Sequence, residues 1–179
     1  MPESSSGGQR IALREATLCL LIQEGVPAKV LLGYKKIGFG QGKYTGFGGK
    51  VEQGESVRAA ALREMREESG LQVCEQDVER VGHLTFLFPS RPDWSQVVHV
   101  FLGKSWKGEL TESDEMKPAL FQVDDLPFDS MWQDAVYWLP PILEGKRIQA
   151  RFVFRSDNES IAEMMVQDLE SGTDYEQKV

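Results

Sequence analysis

The chain predicts an α/β protein, a mixed β-sheet carrying helices, and three observations lead there. Aliphatic and β-branched runs of strand length recur, one strongly helical segment lies among them, and several connections are short enough for hairpins. Residues 14–22 (REATLCLLI) and 28–35 (AKVLLGYK) are strand-like and are separated by a Gly-Val-Pro turn, which predicts a hairpin. The stretch from Gly38 to Gly54 is too rich in glycine for a regular element. Residues 56–69 (SVRAAALREMREES) form the clearest helix. Ser56 caps its start, good helix formers fill it, and Gly70 stops it. Strands are expected at 71–75, 78–88, 97–103 and 118–123. A second helix is expected around 132–145, bent or restarted by Pro140 and Pro141. Runs 148–155 and 160–167, joined by the polar turn Ser156-Asp157-Asn158, close the domain. The expected organisation is a disordered leader over 1–13, one folded domain over 14–169, and an acidic, frayed and dispensable tail over 170–179.

Composition narrows the function classes. At 179 residues, 41% hydrophobic and 27% charged, the chain reads as one globular domain, which excludes collagen-like, disulfide-stapled and wholly disordered classes. No apolar run approaches bilayer length, and MPESSSGGQR lacks the apolar core of a signal peptide. A soluble, cytoplasmic monomer with no membrane partner is the expectation. The formal charge is −8, and residues 156–179 hold seven acids against one lysine. Such a surface is not built for a nucleic-acid polymer; a small anionic ligand would need a cation to mediate its contact. Cys19 and Cys74 are expected to be buried, reduced thiols. His83 and His99 are too few and too far apart in sequence to predict a zinc site.

The chemistry concentrates in the glycine stretch and the first helix. Gly46-Phe47-Gly48-Gly49-Lys50 precedes a helix that carries Glu64, Glu67 and Glu68. At 100° per residue these carboxylates share an arc of roughly 100°. Like charges held that close destabilise a helix unless a cation faces them, and a hard divalent ion such as Mg²⁺ takes oxygen ligands. Arg63, four residues before Glu67, is placed to pair with it and orient it. Each feature alone has a plainer reading. A Glu-rich helix is usually a solvated face, and the Gly-x-Gly-x-Gly run at 38–42 lacks both the P-loop ending and the dinucleotide spacing.

The combination is more specific. Gly49, five residues, Glu55, seven residues, then Arg63-Glu64-Met65-Arg66-Glu67-Glu68-Ser69-Gly70-Leu71 matches G-x5-E-x7-R-E-U-x-E-E-x-G-U, with U apolar, at every fixed position. The chain therefore resembles the Nudix family. The resemblance implies an α/β/α sandwich around a mixed sheet and Mg²⁺-dependent hydrolysis of a nucleoside diphosphate linked to another group, with Mn²⁺ able to substitute. It extends to the animal MutT-type members through Val30–Lys36, Gly38-Phe39-Gly40, Glu112–Met116, Pro127-Phe128, Met131-Trp132 and Tyr137-Trp138. Those members hydrolyse oxidised purine nucleoside triphosphates, such as 8-oxo-dGTP and 2-oxo-dATP, to the monophosphate and pyrophosphate, which sanitises the nucleotide pool.

By that resemblance, Gly48 (through its carbonyl), Glu64, Glu67, Glu68 and Glu115 are the expected metal ligands, and Arg63 joins the three helix glutamates in the catalytic set. Thr17, Lys35, Thr45, Phe47, Gly48, Gly49, Lys50, Trp132, Gln133 and Asp134 are the expected nucleotide contacts, with Phe39, Phe86, Phe88 and Met116 as apolar lining. Either Glu67 or Glu68 would deprotonate the attacking water. Plainer roles stay open: Phe86 and Phe88 as core, Lys35 as a solvated strand end, Thr17 as a strand residue. Two positions depart from the family pattern, Ala135 in place of a second aspartate after Asp134, and Thr45 in place of an asparagine. Without a neighbouring carboxylate Asp134 is expected to ionise more readily, and the pocket to discriminate oxidised from normal purines less sharply. Other readings are a Nudix hydrolase of another substrate (a damaged pyrimidine triphosphate, ADP-ribose or a capped RNA end) and a nucleotide-sensing module without turnover.

Overall fold

A computed structural model describes residues 12–170 and Tyr175. Of the expected leader and tail, residues 1–11, 171–174 and 176–179 lie outside the described residues. The strands are β1 (Arg14–Gln23), β2 (Lys29–Lys35), β3 (Tyr44–Thr45), β4 (Val78–Leu87), β5 (Gln96–Gly103), β6 (Met116–Gln122), β7 (Arg147–Phe154) and β8 (Ile161–Leu169). The helices are α1 (Val57–Ser69) and α2 (Ala135–Leu143). The strands form one sheet in the order β3-β2-β1-β5-β4-β7-β8, with β6 on the far side of β2. β1 with β5 and β4 with β7 run parallel and the other pairs antiparallel, so the sheet is mixed as expected.

Alternation along β1 assigns the two layers. Ala16 and Leu20 face a core that includes Trp138, Leu139 and Ile142 of α2. Cys19 and Leu21 face the opposite core, with Ala61 and Met65 of α1. One helix covers each face, which is the α/β/α sandwich.

The structure departs from the sequence reading in four places. Residues 71–75 make no strand. Gln72 forms a single bridge to Lys107, because the chain leaves α1 through the left-handed Gly70 and enters a 3₁₀ turn at Glu75–Asp77. The second helix begins at Ala135 and runs unbroken through Pro140 and Pro141, ending two residues later. Cys74 is exposed beside that 3₁₀ turn, while Cys19 is buried and its thiol is pushed up to about 12 by burial. His83 and His99, distant in sequence, are cross-strand neighbours with ring centroids 5.5 Å apart. The Arg80 guanidinium and Glu15 carboxylate hold His99 between them, and burial pushes His83 down to about 4.

Tyr175 gives the acidic tail one attachment that its polar composition does not announce. Its ring lies 4.5 Å from the Arg80 guanidinium and 4.8 Å from that of Arg147, and its hydroxyl donates to the Arg80 carbonyl at 3.3 Å. Two cation–π contacts at a half-buried site are worth about 1–2 kcal/mol together. Tyr175→Ala should therefore lower the melting temperature by roughly 2–6 °C, and Tyr175→Phe by less than half of that. Identical melting curves for all three proteins would show the contact to be without consequence.

Candidate active site

β1 and β2 pair only at Leu21–Gln23 with Lys29–Leu31. Nearer the start of β1 its free edge is taken by the glycine loop, through bridges Ala16 to Lys50 and Cys19 to Phe47. The Thr17 N–H donates to the Gly49 carbonyl at 2.8 Å, and Phe47 and Cys19 exchange a pair of backbone bonds. Glycine is required there by contact. A Cβ on Gly48 would lie 1.8 Å from the Thr17 carbonyl oxygen, and one on Gly49 would lie 2.5 Å from the Glu64 carboxylate.

α1 delivers its carboxylates to this loop. The Ser56 hydroxyl accepts from the Ala59 N–H, and Gly70 ends the helix with φ 77°. Ala60 and Ala61 are wholly buried, small enough to let the helix sit close to β1. Glu68 is only 4% exposed, and its Oε2 accepts from the Gly48 N–H at 3.0 Å. Lys35 Nζ stands 3.7 Å from Glu68 Oε1 and 3.1 Å from Glu115 Oε2. Glu68 Oε1 is buried without a hydrogen-bond partner. Burial pushes the Glu68 carboxyl up to about 7, against the opposing pull of Lys35 and the Gly48 N–H.

Arg63 is the hub of the remaining carboxylates. Its Nε and Nη2 donate to the two oxygens of Glu55 at 2.8 and 3.1 Å, and Nη2 also donates to the Lys50 carbonyl at 3.1 Å. Nη1 donates to Glu64 at 2.7 Å and to Glu67 at 3.3 Å. The expected Arg63–Glu67 pair is thus present but is the longest of the set, and Glu67 is 59% exposed. The principal partner is Glu55, whose carboxyl the Arg63 guanidinium holds below the usual range. Among the described residues, no three His, Cys, Asp or Glu side chains converge closely enough to hold an ion as they stand. The donors are nonetheless hard oxygens, and Glu68 Oε1 is the unsatisfied buried acceptor that a hard cation would complete.

A cavity of about 350 Å³ on the α2 side of the sheet meets this cluster through Gly48, Gly49, Lys35 and Glu115. Thr17, Phe39, Thr45, Lys50, Phe86, Phe88, Met116, Trp132 and Asp134 also line it, as expected from the sequence. Two expected contacts do not. Phe47 is wholly buried in the α1-side core and offers only its backbone to the loop, and Gln133 is exposed outside the cavity wall. Trp132 is already covered: Phe39 stacks on it at 5.2 Å and 23°, and Lys43 Nζ lies 4.9 Å from its ring.

Asp134 is buried, with Oδ2 accepting from Trp138 Nε1 at 2.7 Å. Standing without a second aspartate does not leave Asp134 an ordinary carboxyl, because burial pushes it up to about 6 despite Trp138 and Lys43.

The NUDIX domain matches residues 12–141. Over 155 residues the chain is 42% identical to the oxidized purine nucleoside triphosphate hydrolase of Mus musculus, covering 87% of this chain and 95% of that one. Over 139 residues it is 45% identical to the enzyme of the same name from Danio rerio, covering 78% and 85%. The chain belongs to the Nudix family. The MutT protein of Bacillus halodurans, 21% identical, shares the fold with a TM-score of 0.71, over 86% of this chain and 97% of that one.

In this Nudix protein the sequence reading missed Glu55 as the partner of Arg63, Lys43 over Trp132, and the cavity residues Arg14, Ala16, Leu18 and Gln96. The period-2 alternation of β1 would have found Arg14, Ala16 and Leu18 once one of them was known to face the cavity.

Two outcomes follow from this geometry. Arg63→Ala should lower turnover roughly 10- to 100-fold and also lower the melting temperature, since it strands Glu55 as well as freeing Glu64. Arg63→Lys should fail to rescue, because one ammonium cannot replace a fork shared among three carboxylates. Wild-type turnover in the Lys variant would refute the hub.

The second concerns Asp134. A carboxyl raised on folding contributes stability that is complete below its unfolded value of 3.8 and is lost as pH rises through about 6. Asp134→Asn keeps an acceptor for Trp138 but does not titrate. Its stability, followed through the melting temperature, should therefore gain on that of the native protein between pH 4 and 7, by a margin on the order of 2 kcal/mol. Parallel curves of melting temperature against pH would contradict this assignment.

Proposed function

We propose that this chain hydrolyses oxidised purine nucleoside triphosphates, 8-oxo-dGTP and 2-oxo-dATP among them, to the monophosphate and pyrophosphate, with Mg²⁺ or Mn²⁺. The observation that carries the reading is the junction at Gly48. There an aromatic cavity with one buried carboxylate, Asp134, opens beside Glu68, Lys35 and Glu115. A base and a phosphate chain are the two halves of one ligand that such a junction suits. The two relatives named for this activity, matched over most of their length, support the same reading.

Glu64, Glu67, Glu68, Glu115 and the Gly48 carbonyl would hold the cation. When bound, it draws negative charge from the phosphate oxygens. The protein's own groups do the rest. Lys35 neutralises phosphate charge, and Arg63 orients Glu64 and Glu67. Glu67 or Glu68 takes a proton from a water whose oxygen attacks phosphorus as the bond to the pyrophosphate oxygen breaks. Phe39 rides on a turn whose Gly38 and Gly40 both have positive φ, and it is 42% exposed. In this reading the purine takes its place against Trp132, and the turn absorbs the displacement. The ligand is a free nucleotide and not a polymer, in keeping with the charge of −8. We place the enzyme in the cytoplasm as a monomer, in keeping with its two unpaired thiols.

Pyrophosphate release should be measured with 8-oxo-dGTP, 2-oxo-dATP, dGTP, dATP, an oxidised pyrimidine triphosphate and ADP-ribose. The oxidised purines should be preferred, and a chelator should abolish release. Glu68→Gln should lower turnover by orders of magnitude with no loss of melting temperature, because it removes a buried charge while keeping shape. Preference for ADP-ribose, or full turnover in the Gln variant, would overturn the reading.

A further inference from the structure

Gln96 lines the cavity, and no hydrogen bond or ion pair of its side chain among the described residues explains it. It stands on β5, in register with Arg14 of β1 on one side and Phe86 of β4 on the other. All three line the cavity, with Ala16, Val98 and Leu84 forming the next row. Its neighbours are engaged. Arg14 Nη2 donates to the Asp93 carbonyl at 3.2 Å, and Phe86 stacks on Phe152 at 5.7 Å. The Gln96 side chain is half-buried and makes no hydrogen bond among the described residues.

The amide is open to water in the free protein and would need a new partner once a ligand displaced that water, and packing does not call for an amide here. An aliphatic side chain of the same length would fill the space and lose nothing on leaving water. An amide brings instead a donor and an acceptor side by side. Several other polar side chains lining the cavity are less free or less versatile. Asp134 already accepts from Trp138, Glu115 is tied to Lys35, Arg14 and Lys50 only donate, and Thr45 has a single hydroxyl.

We propose that Gln96 is a specificity-determining residue that reads the base. Its carbonyl oxygen accepts from a ring N–H, and its NH₂ donates to the adjoining ring carbonyl. Oxidation of guanine at C8 creates such an edge, N7–H beside C8=O, where the normal base has an acceptor beside C–H. The normal base offers N7 only as an acceptor beside C8–H, so the amide turned over makes one hydrogen bond to it where the oxidised edge takes two. The inference rests on the function proposed above and deepens it. It also supplies a hydrogen-bonding group in a pocket where Ala135 offers none.

The test uses the full chain and two variants. Gln96→Leu removes both hydrogen-bonding groups, and Gln96→Glu keeps the acceptor but replaces the donor with a second acceptor. kcat/KM is measured for 8-oxo-dGTP and dGTP with Mg²⁺, and calorimetry measures the binding of 8-oxo-dGMP and dGMP in chelator-treated buffer. Gln96→Leu should shrink the preference for the oxidised base roughly five- to hundred-fold, with the loss falling in KM. Gln96→Glu should also shrink it, and the monophosphate affinities should follow the same order. Melting temperatures within a degree of the native value would show that neither variant acts by unfolding. If the native protein prefers 8-oxo-dGTP and both variants keep that preference, the inference is overturned and the proposed function stands. If the native protein hydrolyses neither nucleotide, the proposed function fails and the inference with it.

Discussion

The contact on which the rest depends is the one between Gly48 and β1. The loop backbone lies so close to Thr17 that no side chain fits at Gly48, and that approach lets the Gly48 N–H reach Glu68. Glu68 is in turn held 4% exposed by α1, whose Ala60 and Ala61 allow the helix to approach the sheet. Burying a carboxylate costs several kcal/mol unless charge and hydrogen bonds compensate it. One N–H and a lysine at 3.7 Å compensate in part, and Oε1 is left with no hydrogen bond. A helix end that merely needed solvating would not be built this way. The residual demand for positive charge is the physical content of the proposed cation site.

The same contact explains how the two halves of the site come to meet. Elsewhere β1 is fully paired, to β5 along its length and to β2 at its end. The stretch where β2 is absent is where the glycine loop is laid in. The side chains of β1 alternate across it, towards α1 and the glutamates on one side and towards the cavity on the other. The loop therefore borders both faces, and its carbonyls and N–H groups connect them together with the Lys35 side chain. Lys35 and Glu115 reach the same junction because β2 and β6 pair Lys35 with Met116, the residue after Glu115.

What was legible in the sequence was local. The cap at Ser56, the stop at Gly70 and the spacing of Glu64, Glu67 and Glu68 are helical geometry, and they appear where the pattern puts them. The aliphatic and β-branched runs marked five of the eight strands, and the two closing runs fall on β7 and β8. The two-residue β3 has no pattern long enough to read, and 71–75 has a strand's composition without a partner to make it one. What escaped depends on distances through space. Glu55 was visible as a motif position, but that it takes the fork of Arg63 depends on how the turn before α1 folds back. Cys74 read as buried because its neighbours are apolar, yet its own side faces out of the turn. Asp134 read as a carboxylate relieved of a neighbour, when its burial matters more than who stands next to it.

Glu68 and Asp134 share a consequence that neither the motif nor the cavity shows alone. Burial raises both, to about 7 and about 6, so each keeps its proton to a higher pH than an exposed carboxyl would. Their contributions to stability are therefore present at acid pH and are lost as pH rises towards neutrality. The chemistry proposed for Glu68 needs the opposite, an ionised carboxylate. Burial works against that form in the free protein, and a cation beside Glu68 would work for it, since positive charge stabilises the ionised carboxylate. In the proposed site, an ion bound beside Glu68 would therefore favour the ionised form that the proposed chemistry needs.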